Sequence, residues 1–113
     1  MNRDPRDYVE NIDLAIRFIA EWVSEGRQRF DDDLRTRAAL MRMMQELSES
    51  MRRLHPVLGD RYPEMPWREV IGFRNVLVHD YLGLNLDRIW HIATTYIPTL
   101  EPHIERMLAE LSS

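Results

Sequence analysis

Apolar residues recur at intervals of three and four along most of the chain, the pattern of helices that bury one face. In the first segment these apolar positions are Tyr8, Ile12, Ala15, Ile19 and Val23. Asp4 and Pro5 precede them as an N-cap and a first helical residue, and Gly26 follows them as a C-terminal cap. The pattern therefore predicts a helix that ends at Gly26.

A second helix is predicted to start in the run Asp31 to Asp33. Three aspartates resemble a metal site, but at a helix start they more often cap the helix and complement its dipole, and we interpret them so. The positions predicted to point inward are Leu34, Ala38, Met41, Met44, Leu47, Met51 and Leu54. The pair His55-Pro56 is expected to end this helix.

A third helix is predicted to open at Pro66 and to be broken by Gly83 and Asn85. Its inward stripe on a helical wheel is Trp67, Val70, Ile71, Leu77, Val78 and Tyr81. These residues are expected to pack against the other helices.

Asp87 is predicted to begin a fourth helix, in which Pro98 and Pro102 require a kink or a new start between Thr95 and Thr99. No segment alternates as a strand does, and no internal repeat is visible. The predicted class is all-α: an up-and-down four-helix bundle with a short or kinked fifth helix at the C-terminal end.

Length and composition narrow the class further. With 113 residues, 44% of them hydrophobic, the chain fits one globular domain spanning residues 1–113. No apolar run is long enough to cross a bilayer, and the sequence contains no cysteine, so we expect a cytoplasmic protein without membrane contact. The net charge of −4 means that any nucleic-acid contact must come from a local patch.

Arg74 falls in the middle of the apolar stripe of the third helix. An unpaired guanidinium in a core costs several kcal/mol or more, so Arg74 must either pair with a buried carboxylate or face a cleft or interface. Glu49, among the apolar positions of the second helix, is the candidate partner.

A second face of the same helix carries Arg68, Gly72, Asn75 and His79. Gly72 costs about 1 kcal/mol in a helix relative to alanine, which suggests that something approaches the backbone there. Arg74 and His79 point about 140° apart on an ideal helix. They meet at one small group only if the helix is distorted, if Arg74 bends around, or if a second copy contributes, and this geometry favours a dimer interface.

The chemistry of these residues suits a phosphodiester. His79 can transfer a proton near neutral pH, Arg74 can hold phosphate oxygens, and Asn75 can orient His79. Without a visible metal cluster, the fitting reaction is RNA cleavage by the substrate's own 2′-hydroxyl. The residues alone leave a second interpretation open, in which Arg74 and His79 make ordinary structural bonds.

Residues 62–90, YPEMPWREVIGFRNVLVHDYLGLNLDRIW, resemble the HepT-like toxins, the HEPN-domain members of prokaryotic HEPN/minimal-nucleotidyltransferase toxin–antitoxin pairs. The signature of that family is an arginine, a polar residue, three further residues, a histidine, one residue and a tyrosine. Here these places are held by Arg74, Asn75, His79 and Tyr81. The second helix matches less well, since Ser48 stands where glycine is usual and Glu46 where an apolar residue is common.

The resemblance implies a HEPN-type bundle that forms a homodimer, with a composite, metal-independent ribonuclease site at the interface. Arg74 and His79 would be its catalytic residues, supported by Asn75 and Glu49, with no cofactor. The resemblance also implies a type VII-like toxin that a cognate minimal nucleotidyltransferase antitoxin neutralises by adenylylating Tyr81.

Two rival functions remain at the level of the sequence. One is a non-catalytic HEPN dimer that binds a nucleotide or a partner and cleaves nothing. The other is a structural adaptor in which Arg74 only forms a salt bridge to Glu49. No pair of histidines has the spacing of a zinc site, so no metal centre is predicted.

Overall fold

The computed structural model of this chain describes residues 4–80 and 85–111, with the backbone alone for residues 79 and 80. The α-helices in these ranges are α1 (Pro5–Val23), α2 (Arg27–Asp32), α3 (Leu34–Leu58), α4 (Trp67–Asp80), α5 (Leu86–His91) and α6 (Glu101–Leu111). A π-helical turn, Ile92–Tyr96, and a 3₁₀ turn, Ile97–Leu100, join α5 to α6. The described ranges contain no strand, and the predicted all-α class is confirmed.

The bundle is built around the long helices α1 and α3. Helix α1 packs against α3 on one side and α6 on the other, and α3 packs in turn against α4. Their facing side chains form one continuous hydrophobic core. No helix in the described part of the chain is long and apolar enough to span a membrane.

Helix α1 begins as the sequence predicts, because Asp4 Oδ1 accepts the backbone N–H of Arg6 at 2.9 Å and Pro5 is the first helical residue. It ends earlier than predicted, at Val23, with Ser24 as the C-cap. Gly26 does not cap α1. It has a φ of 96° and turns the chain directly into α2, a short helix that the sequence patterns missed.

Helix α3 is capped by Asp33, whose carboxylate accepts the backbone N–H of Arg35 at 3.0 Å and the hydroxyl of Thr36 at 3.1 Å. The interpretation of an aspartate in this run as a cap is therefore confirmed. The predicted inward positions from Met41 to Leu54 are all buried. They are Met41, Met44, Leu47, Met51 and Leu54.

Two inward positions predicted at the start of α3 are wrong. Leu34 is 67% exposed and Ala38 is also exposed, because the buried face here runs through Thr36 and Leu40. Ala38 lies about 200° around the helix from Leu40 and so points away from α1.

The predicted end of α3 at His55-Pro56 is also wrong. The helix continues through Pro56 to Leu58, and the backbone N–H of Gly59 donates to the carbonyl of His55 at 2.9 Å. Proline removes one helical hydrogen bond, and the burial of Leu58 in the core offsets that loss.

Helix α4 starts immediately after Pro66, as predicted, and Trp67, Val70 and Leu77 are buried. Val78 was expected inward but is 60% exposed. The stripe is narrower than predicted and includes Phe73, whose ring packs edge-on against Tyr96. Ile71, also in the predicted stripe, is half-buried. The last stripe residue, Tyr81, and the helix breaker Gly83 lie outside the described residues.

The C-terminal part of the chain has the interrupted helix that its prolines predict. Asn85 caps α5 by accepting the backbone N–H of Arg88 at 3.1 Å, so the helix starts at Leu86 rather than at the predicted Asp87. The predicted break is confirmed, since α-helical geometry gives way to the π and 3₁₀ turns before α6 resumes at Glu101.

Candidate functional site

A groove of about 380 Å³ lies between α3 and α4, next to the motif predicted from the sequence. We refer to it as the α3–α4 groove. Helix α3 lines it with Ser48, Glu49, Arg52 and His55. Helix α4 lines it with Arg68, Ile71, Gly72, Arg74 and Asn75. Three arginines and one glutamate thus face a single concavity.

Arg74 and Asn75 both reach this groove and are both exposed. Neither side chain has a hydrogen bond or an ion pair with another residue in the described ranges. The sequence left Arg74 either paired with a buried carboxylate or facing a cleft or interface, and the structure has it in a cleft. A guanidinium that is exposed and unpaired in this way can accept an anionic ligand without first breaking a bond.

Glu49 lines the groove but does not pair with Arg74. Its carboxylate accepts two hydrogen bonds from Arg52, at 3.1 and 2.6 Å, and one from Arg53 at 2.9 Å. These bonds lower the pKa of Glu49 from 4.5 to about 2. Glu49 is therefore ionised at neutral pH and is held by residues of its own helix.

Ser48 links the two helices that form the groove. Its hydroxyl is buried and donates to the carbonyl of Val70 at 2.9 Å, which ties α3 to α4. This bond gives a physical role to the serine that departs from the family pattern.

Gly72 forms an open part of the groove. A Cβ built on Gly72 would meet nothing within 4 Å. The close approach inferred from this glycine is therefore not made by another described part of the same chain, and the surface over α4 is left free here.

His79 belongs to α4, one helical turn beyond Asn75, but its side chain is outside the described part of the structure. Tyr81 lies outside the described residues altogether. The roles given to these two residues remain predictions.

Sequence reasoning proposed Glu49 of α3 as a supporting residue of the site but missed Arg52 and His55. Arg52 and His55 follow Ser48 and Glu49 at three- and four-residue spacing, so all four lie on one face of the helix. This polar stripe, which lies beside the buried leucines and methionines of α3, was the sequence signal that could have identified the groove wall. Within the described ranges, no group of three or more histidines, aspartates or glutamates is placed to hold a metal ion.

Comparison with known proteins identifies the family of this chain. A family model described as "Ribonuclease HepT-like" matches residues 12–107. The chain belongs to the HepT-like family. The resemblance inferred from the motif is thereby confirmed.

Curated relatives agree over nearly their full length. "Probable ribonuclease HepT" from Thermococcus cleftensis is 31% identical over 108 residues, which cover 95% of this chain and 98% of the relative. A protein named "Putative RNase" from Caldanaerobacter subterraneus subsp. tengcongensis is 29% identical over 107 residues, which cover 94% of this chain and 96% of the relative. No solved structure matches the chain significantly.

Proposed function

We propose that this HepT-like protein is a ribonuclease that cleaves RNA without a metal ion. The observation that carries the proposal is the exposed Arg74, which pairs with no other described residue and lies beside Asn75 in the open α3–α4 groove. The family and relatives of the chain bear ribonuclease names. An arginine placed in this way is available to bind a phosphodiester.

In the proposed reaction the 2′-hydroxyl of the RNA attacks the adjacent phosphorus. His79 takes the proton from that hydroxyl and passes it to the departing 5′-oxygen, in general acid–base catalysis. The new bond joins the 2′-oxygen to phosphorus as the bond to the 5′-oxygen breaks, leaving a 2′,3′-cyclic phosphate and a 5′-hydroxyl. Arg74 stabilises the extra negative charge on the phosphate oxygens in the transition state.

The site is proposed to be composite, with Arg74 and His79 contributed across a homodimer. Support comes from the helix itself, since residues five positions apart point about 140° away from each other. A second copy related by twofold symmetry would bring one such motif to face the other.

Inhibition by adenylylation of Tyr81 completes the proposal. A nucleotidyltransferase antitoxin would attach AMP to the hydroxyl of Tyr81, which follows Arg74 by seven residues in the sequence. The added phosphate and nucleoside would then compete with RNA for Arg74 through both charge and bulk. Intact mass after incubation with the cognate nucleotidyltransferase and ATP tests this step, with Tyr81→Phe as the control that should gain no AMP.

The ribonuclease itself is tested by cleavage of total cellular RNA with EDTA present and no added metal. The wild-type protein is compared with Arg74→Ala and His79→Ala after each is checked for folding, dimerisation and the absence of AMP. Cleavage that both substitutions abolish supports the mechanism. Cleavage that survives in both variants overturns it, and the absence of cleavage by the wild-type dimer favours the non-catalytic binding function.

A further inference from the structure

The α3–α4 groove continues beyond the catalytic candidates, and its far end is also basic. Arg68 lies on α4 six residues before Arg74, a separation of about 9 Å along the helix axis. Arg52 lines the opposite wall on α3. The distance between the two arginines of α4 exceeds what one small anion needs, so the groove can contact more than a single phosphate.

Among the described residues, the lining of the groove carries more positive than negative charge. Arg68 is exposed and makes no ion pair or hydrogen bond through its side chain with the other described residues. Arg52 shares Glu49 with Arg53, so the one carboxylate of the groove is already bound by two guanidinium groups. The groove therefore keeps an excess of positive charge, although the whole chain has a net charge of −4.

The part of the groove between Arg68 and Arg74 leaves room for the backbone of a ligand. The space over Gly72 is open, so a strand can lie close to the α4 backbone between Arg68 and Arg74. Ile71, half-buried in the wall, offers an apolar contact beside the arginines. A positively charged groove that follows the phosphate backbone is a common means of holding single-stranded nucleic acid.

We propose that Arg68 and Arg52 form a phosphate-binding subsite, which holds the backbone of single-stranded RNA one or more nucleotides away from the phosphate cleaved at Arg74. The choice of RNA as the ligand rests on the proposed ribonuclease function. Because these residues contact backbone rather than bases, the subsite increases affinity and sets the orientation of the strand without selecting a sequence.

The test measures binding without cleavage, by fluorescence anisotropy of a labelled single-stranded oligoribonucleotide whose 2′-hydroxyls are methylated. Arg68→Gln is compared with Arg35→Gln, which removes the same charge from an exposed arginine of α3 outside the groove. Arg68→Gln should bind about three- to fivefold more weakly, and its log–log salt slope should be smaller by about 0.7. Arg35→Gln should bind like the wild type.

Arg52 offers a closely matched second comparison. Arg52 and Arg53 are sequence neighbours, have equally exposed side chains and both bind Glu49, but only Arg52 lines the groove. Arg52→Gln should therefore weaken RNA binding more than Arg53→Gln does.

The outcomes separate the subsite from the ribonuclease. Equal affinities for Arg68→Gln and Arg35→Gln, or no binding by the wild type, overturn the subsite. If the wild type cleaves RNA and Arg68→Gln binds normally, the ribonuclease stands and the subsite fails. If binding depends on Arg68 but nothing is cleaved, the subsite stands and the ribonuclease fails.

Discussion

The α3–α4 groove and the contact between α1 and α6 both hold ionisable side chains where two helices meet, but they arrange charge in opposite ways. In the groove, Glu49 is bound by two arginines and its pKa falls to about 2. Between α1 and α6, Asp13 and Glu101 each keep a buried carboxyl oxygen without a hydrogen-bond donor among the described residues. There the pKa of Glu101 is raised, first by burial and then by the charge of Asp13.

The difference shows what each junction does for the molecule. Two neighbouring carboxyl groups in a desolvated contact are a cost to folding at neutral pH, since both cannot ionise freely. Exposed arginines without partners cost the fold little, because water solvates them. The excess of positive charge in the open groove therefore indicates a site that binds an anionic ligand, whereas the carboxyl pair affects the stability of the fold.

The largest effect should come from Arg74→Ala. In the proposed mechanism Arg74 stabilises the transition state, so its removal should lower the rate of RNA cleavage about 100-fold or more. The free energy of unfolding should change by no more than about 0.5 kcal/mol, because Arg74 is exposed and has no ion pair with a described residue. Cleavage rates and urea denaturation measure the two quantities on the same samples.

Arg35→Ala serves as the control for Arg74→Ala, since Arg35 is exposed on α3 and lies outside the groove. It should leave both rate and stability unchanged. A marked loss of stability in Arg74→Ala alone would revive the structural role for this arginine.

Ser48→Ala should have the next largest effect, on stability. The substitution leaves the carbonyl of Val70 without its buried donor, and a bond of this kind contributes about 1 kcal/mol. Ser50→Ala is a matched control on the α1 side of the same helix, where the hydroxyl accepts from Asn11 at a longer 3.4 Å. Urea denaturation should show a larger loss for Ser48→Ala, and equal losses would mean that the tie between α3 and α4 is unimportant.

The elements that the sequence predicts well are those with local signals. Asp4 and Asp33 cap helices through hydrogen bonds to residues two or three positions away, and the break before α6 follows from prolines. Such features depend on a few neighbouring residues and hardly at all on the rest of the fold.

Errors arose where tertiary packing decides the outcome. Whether Leu34 and Val78 are buried depends on the angle at which each helix meets its neighbour, which spacing alone does not fix. For the same reason, the sequence did not decide whether Arg74 lies in the core or faces a cleft. It also hid the α3 wall of the groove, because Arg52 belongs to the site only through the packing of α3 on α4.

Glu101→Gln tests the carboxyl pair. A raised pKa means that the folded protein binds more protons than the unfolded chain, so wild-type stability should fall as pH rises above about 4.5 towards the raised pKa. Glutamine does not ionise and can donate to Asp13. The variant should therefore be more stable than the wild type at neutral pH, and its melting temperature should change less between about pH 4 and pH 8.

The charges around Glu101 allow a control for this effect. Glu105 raises the pKa of Glu101 and Arg17 lowers it, each acting through its charge. Glu105→Gln removes an exposed carboxylate from the same helix and should reproduce only part of the stabilisation. A destabilised Glu101→Gln at neutral pH would show that the pair is held by contacts other than a shared proton.

Glu49→Gln should destabilise the fold slightly at neutral pH, an effect opposite in sign to that of Glu101→Gln. The lowered pKa of Glu49 stabilises the fold above about pH 4.5, and this contribution is lost as pH falls towards 2. Because the Glu49 side chain is 39% exposed, water screens its bonds to Arg52 and Arg53, and the loss in the variant should stay below about 1 kcal/mol. The difference from wild type should shrink at acid pH.

The same substitution should increase RNA affinity, because it removes the one acidic side chain of the groove and releases Arg52. Glu46→Gln is the control, since Glu46 lies on the same helix, pairs with Arg42 and does not line the groove. Anisotropy with the methylated oligoribonucleotide should show tighter binding by Glu49→Gln alone. If Glu49→Gln instead weakens binding, the carboxylate must be holding Arg52 in the orientation that receives phosphate, and Glu49 would belong to the site as a positioning residue.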